Sequence, residues 1–105
     1  MSMTSSANPR KNTSKICPVA KIAGLLSDPW TILIIRDLLR SQARFSELER
    51  SLAGVSSRTL TLKLKKLTDE GIVTKSGLLY SMAKHGERLG DVIRAMEKCG
   101  KGYRG

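Results

Sequence analysis

Arg44-Phe45-Ser46-Glu47-Leu48-Glu49-Arg50-Ser51-Leu52-Ala53-Gly54-Val55-Ser56-Ser57-Arg58-Thr59-Leu60-Thr61-Leu62-Lys63-Leu64-Lys65-Lys66-Leu67 reads as two short helices around a glycine turn. Ser46 is placed to cap the first helix, Glu49 to reach back to the Ser46 N–H, and Phe45 to staple the entry. Leu48 and Leu52 recur at helical spacing, and Gly54 supplies the backbone freedom that a sharp interhelical turn requires. Val55 plugs the turn and Ser56 caps the second helix, along which Leu60, Leu64 and Leu67 form one apolar face. This is the pattern of a helix-turn-helix.

At 3.6 residues per turn, the face opposite those leucines carries Arg58, Thr61, Leu62 and Lys65. Ser57 stands at its N-terminal end, and Thr59, Lys63 and Lys66 lie on its flanks. Arg58 can bind guanine bidentately, Thr61 can bond a base edge or touch a thymine methyl, and Lys65 can neutralise a phosphate. A merely solvated face usually mixes charge signs, whereas Ser57 to Leu67 holds four basic residues and no acid. The expected partner is double-stranded DNA, contacted by Ser56, Ser57, Arg58, Thr59, Thr61, Leu62, Lys65 and Lys66. Arg44 and Ser46, at the entry of the first helix, complete that set together with Lys75 further on.

Upstream, Pro18 fits the first turn of a helix to about Leu26, with Val19, Ile22, Ala23 and Leu26 as its apolar stripe. Asp28 and Pro29 are a good N-cap and first helical residue for Trp30-Thr31-Ile32-Leu33-Ile34-Ile35-Arg36-Asp37-Leu38-Leu39, apolar enough to be the central core helix. Trp30 is read as core rather than as a ligand platform. Downstream, Gly71 ends the second motif helix. Ile72-Val73-Thr74-Lys75 and Leu78-Leu79-Tyr80-Ser81-Met82 then form a hairpin around Ser76-Gly77. Lys75 is its only basic side chain, so the hairpin touches the sugar-phosphate backbone or simply closes the core. A final helix from about His85 to Lys98 places Leu89, Val92, Ile93 and Met96 on one stripe. Together with Val19, Ile22 and Leu26 these residues are expected to form a homodimer interface, with intramolecular packing as the competing role.

The 105-residue chain has room for one small domain, and its net charge of +10 is spread along it. Residues 1–16 contribute +3, 17–54 +1, 55–82 +3 and 83–105 +3. A polyanionic partner follows, with affinity that falls as salt rises. No apolar run approaches the ~20 residues of a membrane span, so no membrane partner is expected. The first sixteen residues read as a disordered basic arm without the apolar segment of a signal peptide, which points to a cytoplasmic, nucleoid-associated protein. The domain is expected over 17–100 and a flexible C-terminus over 101–105.

Cys17 and Cys99 belong to no metal-ligand spacing, so no metal or cofactor is expected. Each reads as an ordinary free thiol, although Cys17 beside a helix N-terminus is placed for raised reactivity. A Cys17–Cys99 disulfide would require Cα atoms under ~7 Å apart. His85, the only histidine, reads as a surface or capping residue. No catalytic triad, phosphate loop or carboxylate pair can be assembled, so an enzyme is the least favoured class.

Cys17-Pro18, the helix from Asp28 to Leu38, Arg44-Phe45-Ser46-Glu47-Leu48, Val55 to Leu60, Leu64 to Leu67, Gly71-Ile72-Val73, and Tyr80-Ser81-Met82 with Gly86 together resemble the HxlR-type winged helix-turn-helix regulators. The resemblance spans residues 17–98. It implies a mainly α fold with a small β-hairpin, a dimeric prokaryotic transcription regulator, dimer contacts from the first and last helices, and a recognition helix in each major groove. It also implies an oxidant- or electrophile-sensing role for Cys17. The wing is shorter than usual for the family, Leu62 stands where a basic residue is common, and Ala83 stands where a capping Thr is usual. The leading expectation is a homodimeric, sequence-specific DNA-binding regulator. The rivals are an architectural DNA-coating protein and a protein-interaction winged helix of a transcription assembly.

Overall fold

The computed structural model describes residues 18–103; the arm expected over 1–16 and Cys17 lie outside the described residues. The elements are helix α1 (Pro18–Leu25), α2 (Pro29–Arg40), strand β1 (Ala43–Arg44), α3 (Phe45–Ser51), α4 (Ser57–Asp69), β2 (Val73–Ser76), β3 (Leu79–Met82), a 3₁₀ turn (Lys84–Arg88) and α5 (Leu89–Gly102).

α2 is the centre of the packing, touching α3, α4, α5 and β3. Its start follows from Asp28, whose extended backbone lets the carboxylate accept from the Thr31 N–H at 3.1 Å and the Thr31 hydroxyl at 3.0 Å. Pro29 occupies the first turn, where its missing N–H costs nothing. Thr31 is buried with Ile34, Ile35 and Leu38, and its hydroxyl is satisfied by that cap. Trp30 is half-buried against the core, its ring 3.8 Å from where a Cβ on Gly54 would stand.

The helix-turn-helix forms with one change at its entrance. Ser46 is not the cap: α3 begins at Phe45, and the Arg44 N–H donates to Glu47 Oε1 at 2.7 Å. The cause is β1, because pairing of Arg44 with Leu79 holds Arg44 extended until the helix starts, placing Glu47 rather than Glu49 within reach. Gly54 has φ +100, a conformation that a side chain disfavours, and the Val55 N–H closes the turn on the Leu52 carbonyl at 3.0 Å. Leu48 and Leu52 of the first arm, and Leu60, Leu64 and Leu67 of α4, all enter the core.

The expected hairpin is part of a three-stranded antiparallel sheet in the order β1-β3-β2. Val73 pairs with Met82 and Ser76 with Leu79, while Ala43 pairs with Tyr80 on the other edge of β3. The last helix also differs from expectation. Ala83 provides no side-chain cap, residues from Lys84 wind as 3₁₀, and the regular helix begins only at Leu89. It then runs past Lys98 to Gly102, so residues 101 and 102 are helical rather than flexible. The His85 side chain lies outside the described part of the structure. Leu89 and Ile93, each 5% exposed, pack into the chain's own core and leave the expected dimer set. Their place on α5 faces α2, to which Arg40 on α2 and Glu97 on α5 add an ion pair at 3.3 Å.

Candidate nucleic-acid interface

The buried leucines anchor α4 and turn its opposite face outward, where Ser57, Arg58, Thr61, Leu62, Lys65 and Lys66 are all exposed. Their chemical freedom differs. Ser56 Oγ accepts the Thr59 N–H at 3.0 Å, capping α4 as expected, and its hydroxyl donates to Thr59 Oγ1 at 3.0 Å. The Ser57 hydroxyl donates to Glu49, tying α4 to α3. These hydroxyls are engaged inside the protein, and Thr59 is half-buried. Arg58 and Thr61 make no side-chain hydrogen bond among the described residues and keep their full capacity for a ligand. Lys65 Nζ lies 3.0 Å from Asp69 Oδ2, an exposed pair that a phosphate can displace.

Lys63 turns the other way, its Nζ 3.2 Å from the Asp28 carboxylate. Burial alone would raise the Asp28 pKa, but the bonds from Lys63 and Thr31 outweigh it and hold the carboxyl below its ordinary 3.8. The residue that starts α2 therefore also fixes the side of α4.

Three residues singled out separately in the sequence converge beside the wing. Arg44, Ser46 and Lys75 line one open cavity of about 390 Å³ with Phe45, Leu78 and Tyr80. Lys75 Nζ lies 5.4 Å from the centre of the Tyr80 ring, which orients the ammonium without removing its charge. Their convergence depends on β1, which the sequence did not signal.

A second surface lies on the terminal helices. α1 buries none of its residues; Val19 is 75% exposed and Ile22 and Met96 are also exposed, while Leu26 packs half-buried on the core. Along α5, Val92, Ala95, Met96, Cys99, Gly100 and Tyr103 line an open, mainly apolar groove of about 600 Å³. Tyr103 was missed in the sequence reading, although Val92, Met96, Cys99 and Tyr103 continue the helical spacing that carries a stripe. Among the described residues no group of His, Cys, Asp and Glu is placed to hold a metal ion, and no single helix is long and apolar enough to cross a membrane.

An outward helix of a helix-turn-helix, followed by a hairpin that β1 extends into a three-stranded wing sheet, defines a winged helix-turn-helix transcription regulator. More particularly, residues 25–105 match the HxlR-like helix-turn-helix family, to which the chain belongs. It is 34% identical over 104 residues to the HTH-type transcriptional regulator sll1512 of Synechocystis, covering 92% of this chain and 77% of that one. It is 35% identical to the HTH-type transcriptional regulator YvaP of Bacillus subtilis, covering 83% and 88%. Among solved structures, quinone-bound YodB from B. subtilis superposes with a TM-score of 0.75 at 27% identity, over 83% of this chain and all of YodB. The redox regulator HypR in its oxidized form gives 0.78 at 25% identity, over 85% of this chain and 99% of HypR.

Proposed function

We propose that this transcription regulator works as a homodimer that binds DNA sequence-specifically, each protomer laying α4 in a major groove. The observation that carries this reading is the division of labour on α4. One face is locked into the core by three leucines, and the other presents Arg58 and Thr61 with their hydrogen-bonding capacity unused. Rigid placement of a few base-reading groups is what direct readout requires. Phosphate contacts come from Lys65, Lys66 and the cavity around Arg44, Ser46 and Lys75, and set the register of the helix in the groove.

The dimer forms through α1, α5 and the residue that ends α5, where Val19, Ile22, Met96 and Tyr103 are exposed and Val92 is half-buried. Site-specific binding by a two-fold dimer follows the two-fold symmetry of its operator. Cys17, which directly precedes Pro18 in the sequence, is the candidate thiol for redox control of this regulator. The redox regulator named among its structural relatives supports that role. The site of action is the nucleoid in the cytoplasm.

Met96→Asp tests the assembly, since Met96 is 43% exposed and leaves the monomer core intact. Light scattering should give the mass of one chain, with an unchanged helical spectrum and operator binding lost. A dimeric Met96→Asp would overturn the proposed interface, and a monomer with undiminished operator affinity would overturn binding as a dimer.

A further inference from the structure

We infer that Leu62 reads the C5 methyl group of a thymine in the major groove, within about two base pairs of the base read by Arg58. The inference rests on the proposal that α4 enters the groove, and it assigns Leu62 a specificity-determining contact. Leu62 is 55% exposed. Among the described residues, the other exposed large apolar side chains lie on α1, on α5 and its end, or at the wing turn, as Val19, Ile22, Met96, Tyr103 and Leu78 do. Of these described residues, Leu62 is the one in the middle of a basic face.

Its position on the helix is set by elementary geometry. Four residues after Arg58, it lies about 6 Å further along the α4 axis and about 40° round it, on the side away from Leu60, Leu64 and Leu67. Arg58, Lys65 and Lys66 surround it, so a phosphate-lined groove would bring the branched methyl groups against base edges rather than phosphates. An aliphatic side chain can neither donate nor accept a hydrogen bond. Among the groups that the major groove exposes, the thymine methyl is the apolar one. A separation of about 6 Å corresponds to roughly two steps of 3.4 Å along a DNA strand. The hydroxyls of Ser56 and Ser57 already donate within the protein and Thr59 is half-buried, so discrimination falls to the exposed Arg58, Thr61 and Leu62.

The test uses the full chain and a duplex operator selected from a random pool, with each thymine of one half-site replaced in turn by uracil, which lacks only the C5 methyl. One thymine, within about two base pairs of the position at which Arg58→Ala relaxes preference, should lose about fourfold in affinity on that replacement, the effect of one buried methyl-sized group. In Leu62→Ala the same replacement should have no effect, and in Leu62→Met the sensitivity should return. A half-site in which no uracil replacement weakens binding overturns the inference while leaving site-specific binding standing, as does equal sensitivity in Leu62→Ala. A pool that yields no enriched motif overturns the proposed mode of DNA binding and this contact with it.

Discussion

The Asp28 carboxylate joins the first turn of α2 to the side of α4: it accepts from the Thr31 N–H at 3.1 Å and lies 3.2 Å from Lys63 Nζ. One side chain thus starts the central core helix and pins the helix that faces outward. Asn is as good an N-cap as Asp, whereas Ala is not, so two substitutions separate the roles. Asp28→Asn should lose only the ion pair, at about 0.2–1 kcal/mol, and Asp28→Ala should lose about 1–2 kcal/mol in denaturant unfolding. Because the folded pKa is depressed below 3.8, the stabilisation is full above that value and fades as pH falls through the lower folded value. The stability gap between the wild type and Asp28→Asn should therefore close below about pH 4. A gap that widens on acidification contradicts the pairing.

Gly86 is required by a close approach of backbone. A Cβ there would stand 2.6 Å from the Ile72 carbonyl oxygen, which also accepts the Ala83 N–H at 2.8 Å. Gly86→Ala must move the wing-to-helix junction, and thermal unfolding should show a loss of about 1–3 kcal/mol. Stability equal to the wild type would mean that the 3₁₀ turn shifts freely.

Asp69 is an acid at the end of the proposed DNA face, paired with Lys65 at 3.0 Å. Asp69→Asn frees that lysine and removes a repulsive charge. Affinity for all DNA sequences should rise several-fold, and the dependence on salt should steepen by about one phosphate contact. Unchanged affinity would place Lys65 outside the interface.

Arg58 and Lys66 should part company in a binding assay. Arg58→Ala is expected to cost about 1–3 kcal/mol on the operator and to relax preference at one base pair, while Lys66→Ala weakens operator and random DNA alike. Equal losses on both DNAs for Arg58→Ala would remove it as a base reader.

Much of this was legible in the sequence because the signals are local. Asp28-Pro29, Gly54 and Ser56 each act on neighbours within a few residues, and each sits in the structure as its chemistry dictates. What escaped depends on distant partners. β1 has two residues and exists only because β3 comes back beside it, and that pairing moved the α3 cap from Ser46 to Arg44. Leu89 and Ile93 share a stripe with Val92 and Met96, and only the packing of α5 on α2 separates the buried pair from half-buried Val92 and exposed Met96. The hydroxyl of Ser57 looked available because its acceptor, Glu49 on α3, is brought beside it only by the folded turn.

Selection of the purified protein against a random duplex pool at near-physiological salt, with sequencing of the retained DNA, tests site-specific binding by a dimer most directly. The predicted result is a two-fold symmetric motif whose half-site centres lie about 34–36 Å apart, one turn of the double helix. Retention without enrichment, or no retention even at low salt, would contradict it.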